Sequence, residues 1–279
     1  MQPIHFIVGS KDPEMDLIKE LIWTAKEVGM KGVAGLSHAT CRGNPVHSGN
    51  AHLADGTDTR PGRGTRAVFV ECRVKHVRSV RVIDHHRPGD PGFDCPPEQY
   101  WEGSSLGQTV SFLEQIATRA ELEKLHQALS SRWDDMRMAA AADHCLGSAY
   151  QGRCPGVDPL ALRYWRVISK SRYRSECPAA ILAKVQHATS WLKTADRFTL
   201  NDERVALVPE EVPELPEASA ILGTPVEYLL EDKRTGRTKI GLLNASVHTI
   251  REWMSKRAPL LGLDDIYGSP MRGYAGGYR

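Results

Sequence analysis

The run Val82-Ile83-Asp84-His85-His86 is the part of this chain best suited to chemistry. A short apolar stretch, Val80 to Ile83, ends abruptly in a carboxylate and two imidazoles, and Arg87-Pro88-Gly89-Asp90-Pro91-Gly92 stops any continuation. A strand that ends in such a turn delivers its last side chains to the carboxyl edge of a sheet, which is where open α/β folds bind ligands. A hard oxygen donor beside imidazole nitrogens suits Mn²⁺, Mg²⁺, iron or Zn²⁺.

The elements that must position this run alternate as strand and helix. Ile4 to Val8 reads as a buried strand, and Asp12-Pro13-Glu14 as a helix start, with proline just inside and acids in the first turn. Leu17, Ile18, Leu21, Ile22 and Ala25 then recur at helical spacing through Val28. Ala67 to Cys72 is a second strand, closing on the acid Glu71, and Val80 to Ile83 a third. Helices are expected over Ser104–Ala117, with a serine N-cap, over Glu121–Leu129, over Trp133–Ala142 and across Pro159–Leu192. Asp143 follows the alanine-rich end of one of these, so it should be at least half-buried, and a buried acid needs a partner.

Gly35 to Thr65 is different: it lacks apolar periodicity and reads as a long loop, a length that is unusual without a function. It carries His38, Arg42, His47 and His52, which could supply metal ligands, contact substrate phosphates or belong to a polar surface. From Arg197 the composition shifts. An acidic, proline-rich stretch ending at Pro216 suggests a linker over 196–216. A helix at Pro216–Leu222, strands at Val226–Leu230 and Lys239–Leu243 joined by a turn at Lys233-Arg234-Thr235-Gly236, and a helix at Val247–Lys256 follow. This order predicts an α/β fold, with a mainly parallel sheet and flanking helices over 1–195 and a smaller α+β domain over 217–279.

With 279 residues, 41% apolar and 25% charged, the chain has material for a core in one large or two moderate domains. A net charge of +2 disfavours a general binder of long nucleic acids. No segment is apolar over the ~18 residues of a membrane helix, and the opening residues lack the basic flank of a signal peptide. Cys41, Cys72, Cys95, Cys145, Cys154 and Cys177 form no Cys-x-x-Cys pair, which argues against structural zinc and for free thiols in a reducing cytosol. No Gly-x-x-x-x-Gly-Lys loop is present, and no Gly-x-Gly-x-x-Gly follows the first strand.

At Asp84-His85-His86 the chain resembles the DHH phosphoesterase superfamily, which includes RecJ-type exonucleases, nano-RNases, family-II inorganic pyrophosphatases and cyclic-dinucleotide phosphodiesterases. The resemblance implies an N-terminal α/β domain holding two ions, Mn²⁺ or Mg²⁺, and a smaller C-terminal domain that closes over substrate with a glycine-rich, basic loop. Four metal-binding motifs are implied in order. Glu71 stands at the second, where the family usually has Asp; Asp84 and His85 belong to the third, and Asp143 stands at the fourth. Asp12 and Asp16 lie where the first belongs, but its usual histidine is replaced by Gly9-Ser10-Lys11. Gly273-Tyr274-Ala275-Gly276-Gly277 loosely resembles the glycine-rich loop, and the resemblance makes Gly276, Gly277 and Arg272 candidates for substrate phosphates.

On this reading Glu71, Asp84, His85, Asp143, Asp12 and Asp16 are metal ligands. Asp84 and His86 are the catalytic pair, with His86 touching a phosphate oxygen or protonating the leaving group. His38, Arg42, His47 and His52 complete the substrate contacts. The expected function is a metal-dependent phosphohydrolase acting on a nucleotide, a short oligonucleotide or a related small phosphate ester. A homodimer is compatible with it, and a membrane is not involved. Two alternatives are a degenerate DHH-like nucleotide-binding protein, favoured by the incomplete first motif, and a nucleotide-modifying transferase on the same scaffold.

Overall fold

The computed structural model describes residues 2–232 and 236–279. The expected turn at Lys233-Arg234-Thr235 lies outside the described residues. In chain order the first elements are β1 Ile4–Val8, α1 Pro13–Glu27, β2 Val33–Cys41, β3 Asn44–Pro45, β4 Gly56–Thr57, β5 Arg66–Val70 and β6 Ser79–Ile83. Next come α2 Tyr100–Gly103, α3 Ser105–Ile116, α4 Arg119–Ala128 and α5 Trp133–Tyr150. They are followed by α6 Pro159–Arg174, α7 Pro178–Thr194, β7 Arg197–Leu200, β8 Glu203–Val208, α8 Leu215–Leu222, β9 Val226–Asp232, β10 Arg237–Leu243 and α9 Val247–Glu252. A π-helical turn, Trp253–Arg257, precedes β11 Asp264–Ser269 and β12 Tyr274–Tyr278.

The chain divides into two compact units. The first runs to Phe93 and includes Gln99–Asp143; the second comprises Asp94–Glu98 and His144–Arg279. The boundary therefore falls at 143/144 and not at 195. The stretch 196–216, expected as a linker, carries β7, β8 and the start of α8, and belongs to the second unit. Its prolines and acids flank strands whose Val205, Ala206 and Val208 are buried.

The first unit is a mainly parallel α/β structure. Its sheet has the order β3-β2-β1-β5-β6, with β2, β1, β5 and β6 parallel and the short β3 and β4 antiparallel to β2. Every residue of β1 is buried, as a central strand covered on both faces requires. Asp12 caps α1 by accepting from Met15 N, and Met15, Ile18, Leu21 and Ile22 are buried along one side of that helix. Each such side chain contributes about 1.5–3 kcal/mol by leaving water. Ser104 caps α3 through Gly107 N, and Phe112 of that helix meets Phe6 edge-on at 6.0 Å.

One expectation fails here. The segment from Gly35 is not wholly loop: β2 runs nine residues, through His38 to Cys41, and pairs with β1. Its sequence hides this because small and polar residues (Ser37, Thr40) occupy buried positions.

The second unit is built on a sheet of order β11-β12-β10-β9-β8-β7, antiparallel except between β8 and β9. Alternation along the strands gives it two faces. Ile240, Leu242 and Ala275 pack with Ile250, Trp253 and Ala258 on one. Ala206, Val208 and Val226 pack with α7 and α8 on the other. Gly273 to Gly277 is not a loop either. β12 takes up Tyr274–Tyr278, and a Cβ would meet Tyr267 Oη at 2.7 Å from Gly276 and Leu263 Cβ at 3.1 Å from Gly277. These glycines serve close strand packing. Among the described residues no helix is long and apolar enough to cross a membrane.

Candidate metal centre

Three parallel strands end side by side; β5 and β6 hand side chains to the same edge, and β1 ends there in a glycine. After β5 the chain turns at Glu71, whose φ of 52° is unusual for a residue with a side chain. Its N–H donates to Ile83 O at 2.9 Å, which ties the turn to β6. Strain of this kind persists where surrounding structure fixes it, often at functional sites. After β6 come Asp84, His85 and His86. After β1 comes Gly9, whose N–H donates to Val70 O at 2.9 Å. A Cβ there would lie 2.3 Å from Glu71 O, so only glycine admits this approach. The fourth contributor, Asp143, follows the buried alanines 139–142 of α5.

Glu71, His85, His86 and Asp143 converge: one donor atom from each lies within 4.8 Å of all the others. His85 Nε2 is 2.9 Å from Asp143 Oδ2 and 3.7 Å from Glu71 Oε1. His85 is fully buried, Glu71 nearly so, and the Asp143 side chain 31% exposed. The two imidazoles meet edge-to-face at 4.4 Å.

Asp84, expected as a metal ligand, lies outside these four. Its Oδ1 accepts from His85 N, His86 N and His86 Nδ1, and its Oδ2 from Arg73. Burial opposes its charge, but the bonds to His86 and the backbone outweigh that and hold the carboxyl at about 2. It orients His86, whose side chain remains 43% exposed. Arg73 also grips Asp90 at 2.6 Å.

Asp12 sits at the N-cap of α1, and its carboxyl is raised well above the ordinary range by burial first, then by Glu71 and Asp143. Asp16 is not brought to this edge: it is exposed and pairs with Lys19. The helical turn presents Glu14 instead, 2% exposed, with Oε1 accepting from Leu106 N at 3.1 Å. Burial, then Asp143, Glu71 and Asp12, raise its carboxyl strongly. Glu14 was missed because two residues from a cap reads as an ordinary helix-dipole acid. Only its burial, together with Asp12, marks it.

The histidines of the 35–65 region have local partners. His38 holds Asp58 at 2.8 Å, His47 Nδ1 accepts from Gly49 N, and His52 Nδ1 bonds Arg87 at 2.8 Å. Arg42 is exposed and its N–H donates to Asp55. None of them joins the four. In the second unit Arg272 donates to His144 O at 2.6 Å and lies over the Tyr274 ring. Gly103-Ser104-Ser105-Leu106-Gly107 has the spelling of a nucleophile elbow, yet it joins two helices and Ser105 is fully buried.

The donor set fits a divalent cation. Glu71 Oε1 and Glu14 Oε2 are buried and accept no hydrogen bond among the described residues. Burial, above all, then charged neighbours such as Asp143, raise the Glu71 carboxyl to about 7. Carboxylates that raise one another's pKa in this way are relieved by a bound cation, and carboxylate with imidazole suits Mn²⁺.

No protein-family model matches the chain, and no curated sequence relative does. Among solved structures, a pGpG-specific phosphodiesterase, PggH from Vibrio cholerae, aligns over 99% of this chain and 92% of its own, at 10% identity and a TM-score of 0.39. That superposition is too loose for fold or function to rest on it.

Proposed function

We propose that the protein is a divalent-metal-dependent phosphoesterase acting on a nucleotide or short oligonucleotide, in the manner of the DHH phosphoesterases that Asp84-His85-His86 resembles. The observation that supports it is the convergence of Glu71, His85, His86 and Asp143 at the carboxyl edge of a parallel sheet, with the buried carboxyls of Asp12 and Glu14 interacting electrostatically with Glu71 and Asp143. Glu71, His85 and Asp143 would hold the cation, with Asp12 and Glu14 as the nearest source of ligands for a second. A cation bound there supplies charge neutralisation for the phosphate and acidifies water near neutral pH.

The chain's own groups account for the remaining work. Asp84 fixes the His86 ring through Nδ1, and in this reading the ring would meet a phosphate oxygen or protonate the leaving oxygen. Arg73 holds Asp84 in place from the far side. The apolar strands β1 and β5 behind Glu71 keep bulk water from that side of the site. Free cysteines among the described residues fit a reducing cytosol.

The test is hydrolysis of a dinucleotide and short-oligonucleotide panel by chelator-stripped protein, with and without added Mn²⁺, products being identified by mass. Mononucleotide release that needs Mn²⁺ is expected. Turnover indifferent to the cation, or transfer products in place of hydrolysis, would reject the proposal.

A further inference from the structure

The second unit has a sheet face that this chemistry leaves unused. Across β9, β10, β12 and β11, Tyr228, Gly241, Gly276 and Tyr267 form one row, since Gly241 pairs with Tyr228 and Gly276, and Gly276 with Tyr267. Directly paired residues share a face. Lys239 and its partner Tyr278, two positions along, share it as well. A Cβ at Gly241 would fall 2.6 Å from the Tyr228 ring, and one at Gly276 2.7 Å from Tyr267 Oη. Both rings therefore lie down along the sheet. The Lys239 ammonium sits with them, 5.8 Å from the Tyr228 ring centre and 5.7 Å from that of Tyr267.

A ring laid over a glycine is a packing device of sheets. It does not account for a cation between two such rings. Helices α7 and α8 cover this face over Ala206, Val208 and Val226, while the cluster around Trp253 lies on the opposite face. The nearby acids Asp264 and Asp265 are engaged by Arg237, which lies over Tyr278 at 5.1 Å. Among the described residues no carboxylate pairs with Lys239, whose neighbours are Tyr228 and Tyr267. Tyr267 is 37% exposed, and Tyr228 and Tyr278 are half-buried. A positive charge framed by accessible π faces fits a ligand that is itself both flat and anionic.

We infer that Lys239, Tyr267 and Tyr228 form a nucleotide-binding subsite on the second unit, in which a base stacks on Tyr267 and a phosphate pairs with the Lys239 ammonium. The inference deepens the nucleotide reading above by naming residues for base and phosphate, and it requires no cation.

Calorimetric binding of adenosine 5′-monophosphate and ribose 5-phosphate to the full chain in excess chelator tests it. Metal-free binding and metal-dependent hydrolysis are separate readouts, so either can fail alone. Adenosine monophosphate should bind without cation. Lys239→Gln should weaken both ligands, and Tyr267→Leu should weaken the nucleotide by about tenfold, the scale of one stacked base, while sparing ribose 5-phosphate. Lys239→Arg and Tyr267→Phe keep charge and ring, and should bind within about twofold of the parent, which secures the reading if a harsher variant unfolds. His85→Ala should leave this binding unchanged. Absence of metal-free nucleotide binding, equal affinity in Lys239→Gln and Tyr267→Leu, or loss confined to His85→Ala would overturn it.

Discussion

Asp84 and Glu14 both stand in surroundings their positions in sequence do not suggest. Asp84 heads the most legible motif of the chain, yet its lone pairs are spent on His86, on two backbone N–H groups and on Arg73. Its part is to hold His86. Asp84→Asn should therefore lower kcat by about a hundredfold, the scale of one misplaced acid–base group, while costing Mn²⁺ affinity far less than Asp143→Asn does. Parallel kinetics and calorimetry of the two variants check this, and equal affinity losses would make Asp84 a ligand after all. Glu14 is buried among like charges with one oxygen unsatisfied. A raised carboxyl pKa is a cost to the fold at neutral pH, since ionisation is easier in the unfolded chain. Glu14→Gln keeps the acceptor for Leu106 N and removes that cost. It should stabilise the metal-free protein by about 1 kcal/mol or more and weaken Mn²⁺ binding by about tenfold. Denaturant melts with and without Mn²⁺ would show the opposite signs.

At the scale of elements, the parallel strands were legible because apolar runs ending in turn residues leave little choice: β1, β5 and β6 fall where Ile4–Val8, Ala67–Cys72 and Val80–Ile83 placed them. The alanine run before Asp143 likewise foretold a half-buried acid. Two kinds of element stayed hidden. β2 is made of small and polar residues that carry no alternation, and β12 is rich in glycine because its neighbours Tyr267 and Leu263 fill the space a Cβ would need. Local composition records neither, since both depend on what packs across the sheet. The same holds for Gly9, which reads as a missing histidine but is the residue that lets β1 end against Glu71 O. Gly9→Ala must displace the Glu71 backbone. It is expected to cost about 1–3 kcal/mol of stability and to weaken Mn²⁺ binding about tenfold or more, although residue 9 offers no ligand atom. Unchanged Mn²⁺ affinity in a folded Gly9→Ala protein would separate the turn geometry from the site.

At the scale of the whole molecule, the two units are stabilised differently, and acid should expose the difference. In the second unit Glu217 is buried against Arg166, Lys170 and Tyr150, and Glu214 against Lys170 and Arg174. Burial opposes the Glu217 charge, but Arg166 and Lys170 outweigh it and hold the carboxyl at about 2. A depressed carboxyl stabilises fully above its unfolded value of about 4.3, and the contribution is lost as pH falls toward the folded one. Between about pH 6 and pH 3 the parent should lose about 2 kcal/mol more than Glu217→Gln does. Matching acid losses would assign the network no such role. The first unit should answer instead to divalent cations, and there one measurement bears most directly on the proposed activity: titration of chelator-stripped protein with Mn²⁺, for the parent and for His85→Ala and Asp143→Asn. Saturable binding in the micromolar range by the parent, lost in both folded variants together with Mn²⁺-dependent hydrolysis, is the predicted result. A parent that takes up no divalent cation at micromolar concentration, or variants that bind it as the parent does, would contradict it.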